Sequence, residues 1–326
     1  MSTSTVTNYA SLPTINRRVR AYFAPVDRVH QIPSIFDPSQ TGSFSLDIPP
    51  APWIDLGWIE NFTRKSTSTI SALSSGLPST AQYQVRETTG ATVSFRFKIW
   101  SKLTMALAAG SQHMNLIQPA ISSPGNGSGA RGITAVSVQA DSTSTSIALN
   151  AADTGSFTAG CMVAVDSDYA GQTGFVGSGV SSAYVRSAGA VNNDPDYIRR
   201  VTFNVARVLQ VSASGLQLAQ PLLAGTPASG MKVQPIVGFV DREGGSFFQE
   251  WSAVFVMPGE QGDRLIFHYP RLQALQGAGE SGESLGTPLE RIALDASFRA
   301  LPVTDANDGE QAVCFRSFLP GSVTLI

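Results

Sequence analysis

The stretch that most constrains how this chain can fold is Ala91 to Gly110, ATVSFRFKIWSKLTMALAAG, where strand periodicity passes directly into helix periodicity. Val93, Phe95, Phe97 and Ile99 alternate with Ser94, Arg96 and Lys98, so pleating puts four large apolar groups on one face. After Trp100 the period changes. Ser101 is placed to cap the first free amides of a short helix, Leu103, Ala106 and Leu107 fall on one side of it, and Gly110 suits its left-handed exit. One sheet face and one helix face therefore need covering.

A chain of 326 residues buries a large core and divides more readily into two domains than one. Only 14% of it is charged, against the usual quarter, as expected if much of the surface meets other copies; an ordinary Ser/Thr-rich β protein has the same composition. Net charge is −2, which excludes a global basic field for gripping nucleic acid. Cys161 and Cys314 match no metal or redox spacing and read as buried thiols. No apolar h-region precedes the first arginines and no apolar run approaches the length of a membrane span, so the expectation is a protein made in a cytoplasm, not exported and not inserted in a membrane.

Taken in order, residues 1–40 read as an N-terminal arm. Pro13, Pro25, Pro33 and Pro38 interrupt any element, and Arg17, Arg18, Arg20 and Arg28 are countered only by Asp27. Such arms gain order from a neighbour more often than from their own core. WIDLGWIENF, Trp53 to Phe62, is apolar on both faces in places, as for a strand between two layers. Residues 66–80 are polar and read as a long loop or a weak helical turn, after which Tyr83 and Val85 begin a strand and Thr88-Thr89-Gly90 turns the chain into the Ala91 stretch.

From about residue 118 to 236 a Pro/Gly/Ser linker and a run of short strands, 134–138, 146–149, 161–165, 201–209, 216–218 and 231–233, indicate an inserted small all-β domain with one large loop between Asp166 and Arg200. The first domain, residues 41–117, then resumes over 237–326. Phe247 to Met257 and Arg264 to Leu272 form a hairpin, Gln276 to Gly286 a flexible loop, Ile292 to Ala300 a strand, and Ala312 to Leu319 a closing strand.

Motifs of catalysis lack their context. Gly282 to Gly286 matches G-x-S-x-G, but nothing around it provides the strand-turn-helix elbow that exposes a nucleophilic serine. Gly127 to Gly132 and Gly277 to Gly282 match G-x-G-x-x-G without a preceding strand or following helix, and read as loops. His30, His113 and His268 are scattered singly, and a lone histidine in a strand is more often a face residue than a ligand. Asp166-Ser167-Asp168 has two oxygen ligands of a calcium loop without the later Gly and Glu, which favours a turn over an ion site. No enzyme, cofactor or metal is expected. Trp53, Trp58, Phe62, Phe247, Phe248 and Trp251 could line a sugar groove, although strand positions favour core or interface packing.

The layout as a whole, with its proline-rich arm, WIDLGWIENF, VSFRFKIWSKLTMALAAG, WSAVFVMPGEQGDRLIFHYPRL and ERIALDASFRALPVTDANDGEQAVCFRSF, resembles the tail tube (major tail) proteins of long-tailed bacteriophages. The resemblance covers about 40–117 and 237–326; the insertion departs from the minimal family pattern. It implies a β-sandwich or half-barrel with one flanking short helix, with the inserted domain on the outside. Copies would close into rings of six that stack into a tube in the virion, joined by terminator, tape-measure and baseplate proteins. Arg17, Arg18, Arg20, Trp53, Trp58 and Trp251 are then the expected self-assembly contacts. Viral DNA would pass without specific binding, because a wall of arginines would hold phosphates. From Asp241 to Glu310 twelve acids stand against five arginines, in keeping with such a wall. The alternative is a carbohydrate-binding or adhesive β module, such as a phage receptor-binding protein.

Overall fold

The computed structural model describes residues 18–26, 32–39, 50, 52–118, 133–168, 175–176, 183–184, 196–243, 249–259, 262–275, 279–286 and 289–321. In chain order the first elements are β1 (Val19–Pro25), β2 (Ile54–Ser75), β3 (Thr80–Phe97), α1 (Lys102–Ala109) and β4 (Gln112–Ile117). There follow β5 (Val136–Ser137), β6 (Ser146–Ala148), β7 (Met162–Asp166), β8 (Phe175–Val176), β9 (Ala183–Tyr184) and α2 (Tyr197–Val201). Then come β10 (Val205–Ser212), β11 (Gly215–Leu218), β12 (Lys232–Arg242), β13 (Glu250–Pro258) and β14 (Arg264–Ala274). The last are β15 (Gly279–Gly286), β16 (Leu289–Ala300), β17 (Val303–Thr304), β18 (Gln311–Ala312) and β19 (Phe315–Leu319). The protein is mainly β and antiparallel, as its sequence patterning requires.

The main sheet runs β15-β16-β3-β2-β1-β13-β14-β19, and β16 also pairs with β14. That extra pairing, Leu272 with Ala300, Gln273 with Arg299 and Ala274 with Phe298, closes six strands into a barrel along a short seam. On either side of the seam the two strands part, β16 continuing with β15 and β14 with β19. Alternation fills the interior. Ala21 and Phe23 of β1, Val93, Phe95 and Phe97 of β3, Ala253 and Phe255 of β13, and Ala296 and Phe298 of β16 belong to one buried cluster. Phe23 lies at its centre, with ring centroids 5.6 to 6.4 Å from Phe95, Trp251, Phe255 and Phe298. Large rings meeting across a barrel this narrow leave no lumen within one subunit.

The strand-to-helix stretch folds as its spacing predicts, with one exception. Ser101 Oγ accepts from the Thr104 amide while Thr104 Oγ1 accepts from the Ser101 amide, closing a capping box. Leu103, Ala106 and Leu107 join the barrel core, and Gly110 ends α1 in the left-handed region at φ +60°. Ile99, by contrast, stands outside the end of β3 and is exposed.

Several sequence expectations are corrected. Residues 66–80 are not a loop: β2 and β3 pair from Ile59 with Phe97 out to Ser75 with Thr80, so Thr88-Thr89-Gly90 lies inside a strand and the turn is at residues 76–79. Residues 18–26 are not an arm either. β1 sits between β2 and β13 in the barrel, its apolar alternation having been masked by the arginines on its other face. Residues 32–39 pack on the same subunit, with Ser34 N donating to Ser252 Oγ at 2.9 Å and Phe36 buried beside Trp53. Gln276 to Gly286 is not a loop throughout, since residues 279–286 form the edge strand β15.

The second sheet, β4-β12-β7-β10-β11-β6 with β5 on β12, encloses its own core around Ile147, Val163, Val165, Val208 and Val233. Its ends lie outside 118–236, because residues 112–117 of β4 pair with residues 236–242 of β12. It also contains the short helix α2, where a strand was expected to start at Val201. The Pro/Gly/Ser linker over 119–132 and most of the Asp166–Arg200 loop lie outside the described residues.

The exit of α1 tests the seam. A Cβ at Gly110 would stand 2.5 Å from Ala274 Cβ, on a backbone that L side chains rarely adopt. Gly110→Ala is expected to lose about 1–3 kcal/mol of stability by overpacking and strain, measurable by chemical denaturation.

Candidate assembly surface

Beyond the barrel, β2 and β3 continue as a free-standing hairpin. Its ladder from Ser66–Ala91 to Ser75–Thr80 spans about ten residues, or roughly 30 Å of unsupported ribbon. Thr67, Thr69, Thr88 and Thr89 suit this exposed ladder, and Thr88 Oγ1 donates to Thr69 Oγ1 at 2.9 Å. Register puts Leu73 opposite Tyr83 and Ser71 opposite Val85 on one face, with Ile70 opposite Arg86 on the other. Tyr83 is 73% exposed, Leu73 58% and Leu77, at the tip, wholly so. A two-stranded ribbon is marginal in water without a covered face, which makes a bare apolar stripe here a docking surface in waiting.

At its root the ribbon is fixed by a bulge. Asn61 takes φ 53° and the register shifts between Glu60 and Thr63, which moves Phe62 onto the core side, 4.9 Å from Phe255. Arg64 follows on that side, its guanidinium 5.0 Å over Phe267 and its Nε donating to Tyr269 Oη at 2.9 Å. Burial pushes the Tyr269 phenol up to about 12, despite that hydrogen bond, so Tyr269 stays neutral.

The expected self-assembly residues are not gathered in one place. Arg20 pairs with Asp55 and lies 5.6 Å from the Trp58 ring, so these two are brought together on the barrel's outer side. Trp53 is buried elsewhere, between Phe36 and His268. Trp251 is 1% exposed inside the barrel, packed on Phe23 and Phe203. It is therefore a core residue, taken inward because its position on β13 shares the alternation of Ala253 and Phe255. Arg18 is exposed at the start of β1, and Arg17 lies outside the described residues. The hairpin stripe was missed because Ser and Thr between its apolar residues read as loop; the alternation at Tyr83 and Val85, assigned to a hairpin with the Ala91 stretch, was the available signal.

Other candidate sites resolve into structure. Gly282 to Gly286 runs as extended strand β15, not as a nucleophile elbow. Asp168 pairs with Arg199 at 2.6 Å, and Asp166 Oδ1 accepts from the Ser167 amide, as in a turn. Among the described residues no group of three or more His, Cys, Asp or Glu is placed to hold a metal.

A buried polar cluster seats the second sheet on the barrel. Lys102 Nζ, on α1, donates to Asn115 Oδ1 of β4 and to Thr202 O at 2.8 Å, and lies 5.2 Å from the Phe203 ring. Asn115 Nδ2 donates to Arg199 O and Thr202 O at 2.8 and 2.9 Å. His113 stacks on Phe203, centroids 3.7 Å apart, and its Nε2 meets Val201 O at 2.6 Å. From the barrel side Gln249 Nε2 donates to Ser111 O at 2.6 Å while Gln249 Oε1 accepts from Trp251 Nε1 at 3.0 Å. Burial brings Lys102 down to about 7; burial, then the Lys102 charge, takes His113 well below its ordinary value.

A second buried imidazole, His268, stands against Phe36, Trp53 and Phe315, and neither ring nitrogen meets hydrogen-bond geometry with a described residue. Burial lowers it to about 4, with slight compensation from the Ser34 backbone. A folded-state value below the free value of about 6.5 means that this group's stabilisation is present above pH 6.5 and lost as pH falls towards 4, about 3 kcal/mol in all. His268→Phe, which keeps an aromatic in an aromatic cage, should flatten stability over that window in denaturation curves taken from pH 4 to 7.

No protein-family model matches the chain, and no curated protein matches it.

Proposed function

We propose that this chain is a structural virion subunit whose copies join into rings, of six by the resemblance, that stack into the tail tube through which viral DNA passes. The observation that carries the reading is the free-standing β2–β3 hairpin. A ribbon of this length with Leu73, Leu77 and Tyr83 bare in the subunit gains about 1.5–3 kcal/mol for each such side chain that a neighbouring copy covers. Edge strands add a lateral route. β15 and β19 end the main sheet with unpaired ladders, and Ile292 and Phe318 beside them are about half exposed. Contacts of this head-to-tail kind close into rings or extend as filaments according to the rotation between copies.

Charge on the outer side of β2, β3 and β16 is compatible with a wall that lets a polyanion slide. Arg96 pairs with Asp295 at 2.8 Å and Lys98 with Glu60 at 3.0 Å, so these cations are matched by carboxylates. Trp53 and Trp251, named both for assembly and for a groove, are buried in the subunit's own cores and serve neither reading directly.

The test is assembly itself. Purified protein at high concentration is expected to give rings or tubes in negative stain. The triple change Leu73→Ser, Leu77→Ser, Tyr83→Ser should keep the subunit's melting temperature and weaken association at least tenfold in sedimentation velocity. Wild-type protein that stays monomeric, with neither rings nor tubes, overturns the proposal.

A further inference from the structure

We propose that the seat between the barrel and the second sheet is an acid-released latch, in which protonation of His113 beside Lys102 undocks the second sheet while both folded units persist. It goes beyond the assembly reading and holds whether or not the chain forms tubes.

The argument begins with hydrogen-bond accounting. A carbonyl can only accept, so the bond of His113 to Val201 O places the proton of the neutral ring on Nε2. Nδ1 is then the acceptor, and it faces Gln249 Nε2 at 3.5 Å. Gln249 cannot turn its carbonyl to that nitrogen, because its Oε1 is held by Trp251 Nε1 and its Nε2 by Ser111 O. A proton on Nδ1 therefore meets a donor, in a site where His113 is 2% exposed. The geometry admits only the neutral ring.

Lys102 reinforces this. Its ammonium has two oxygen acceptors, Asn115 Oδ1 and Thr202 O, and the face of Phe203. The Asn115 amide is in turn locked by Arg199 O and Thr202 O. Among the described residues no carboxylate bonds to either base. On α2, Arg199 is turned to Asp196, Asp168 and Gln234, and Arg200 is also buried. On β13, Glu250 is engaged by Arg271 and Gln273. On β12, Asp241 accepts from Ser111, with Glu280 of β15 near it; burial raises Asp241, so acid favours its closed form and it opposes release.

The sign follows from linkage. Both bases hold their protons less tightly closed than open, so the closed form binds fewer protons and loses ground as pH falls. Lys102 acts between its free value of about 10.4 and about 7, tenfold per pH unit, and is spent below that. His113 then acts below about 6.5. From pH 8.5 to pH 5 Lys102 alone shifts the closed-to-open ratio by about thirtyfold, and His113 adds to the shift in the same direction. The bonds that must break are those between the units: Lys102 to Thr202 and Asn115, Gln249 to His113, and Trp251 on Phe203. The chain itself, passing from α1 into β4 and from β12 into β13, remains as the tether.

The experiment is a distance measurement on the full chain. Spin labels at Ala213→Cys, in the exposed β10–β11 turn, and Ala306→Cys, in the exposed β17–β18 turn, are placed in a Cys161→Ser, Cys314→Ser background. A single narrow distance at pH 8.5 should give way to a longer, broad distribution at pH 5, with far-UV circular dichroism unchanged. Lys102→Met should move the midpoint down by at least one pH unit, and His268→Phe should leave it in place. A distance unchanged at pH 5 in the wild-type background overturns the latch without need of any variant. So does loss of secondary structure at the same pH as the separation, or a midpoint that follows His268.

Discussion

Everything in this molecule depends on the few residue pairs by which β14 meets β16. An antiparallel sheet of this length would otherwise leave its apolar face open, and its large rings would have to be covered by another layer. Pairing Leu272–Ala274 with Phe298–Ala300 turns that face inward, so one set of alternating residues becomes the core. Helix α1 lies against this seam, close enough at Gly110 that no side chain fits opposite Ala274. The helix is thus a clasp on the closure, with Leu103 and Leu107 in the barrel core and Gly110 at its tight exit.

Closure also decides what is left over. Once six strands have formed the barrel, the outer halves of β2 and β3 extend beyond it, and among the described residues β15 and β19 end the sheet on either side of the seam. The barrel encloses its own core, and the hairpin beyond it keeps Leu73, Leu77 and Tyr83 exposed. Charge is kept local, with Arg20 on Asp55, Arg96 on Asp295 and Lys98 on Glu60. Exposed pairs of this kind contribute little stability, about 0–1 kcal/mol, and matter more for the neutral surface they leave.

The second sheet is attached in a different manner. Where the barrel is held by aromatic packing, this seat is held by directional bonds among Lys102, Asn115, His113, Gln249 and four backbone carbonyls. Buried polar networks of this sort specify one geometry and are costly when a member is left unsatisfied. Aromatic packing tolerates small shifts, whereas a polar seat of this kind depends on each of its donors and acceptors.

The sequence by itself determined the class and the local elements. Period-two alternation over Val93–Phe97, the cap at Ser101 and the exit at Gly110 are local facts of stereochemistry, and they reappear unchanged. The strands expected over 247–257, 264–272 and 292–300 also form, at 250–258, 264–274 and 289–300, since their apolar runs need burial. Tertiary structure decided the rest. Val19–Pro25 became a barrel strand because partners on both sides satisfied a backbone that its arginines and prolines disguised. Ser/Thr-rich residues 66–75 became a strand because residues 80–91 supplied the ladder, a pairing that periodicity in one segment cannot reveal. Nothing in its local sequence marks Lys102 for burial, and Trp251, expected as a self-assembly contact, is a core residue. Only the meeting of α1, β4 and β13 with residues 199–203 buries them, because burial is a property of what lies opposite in space and not of a residue's neighbours in sequence.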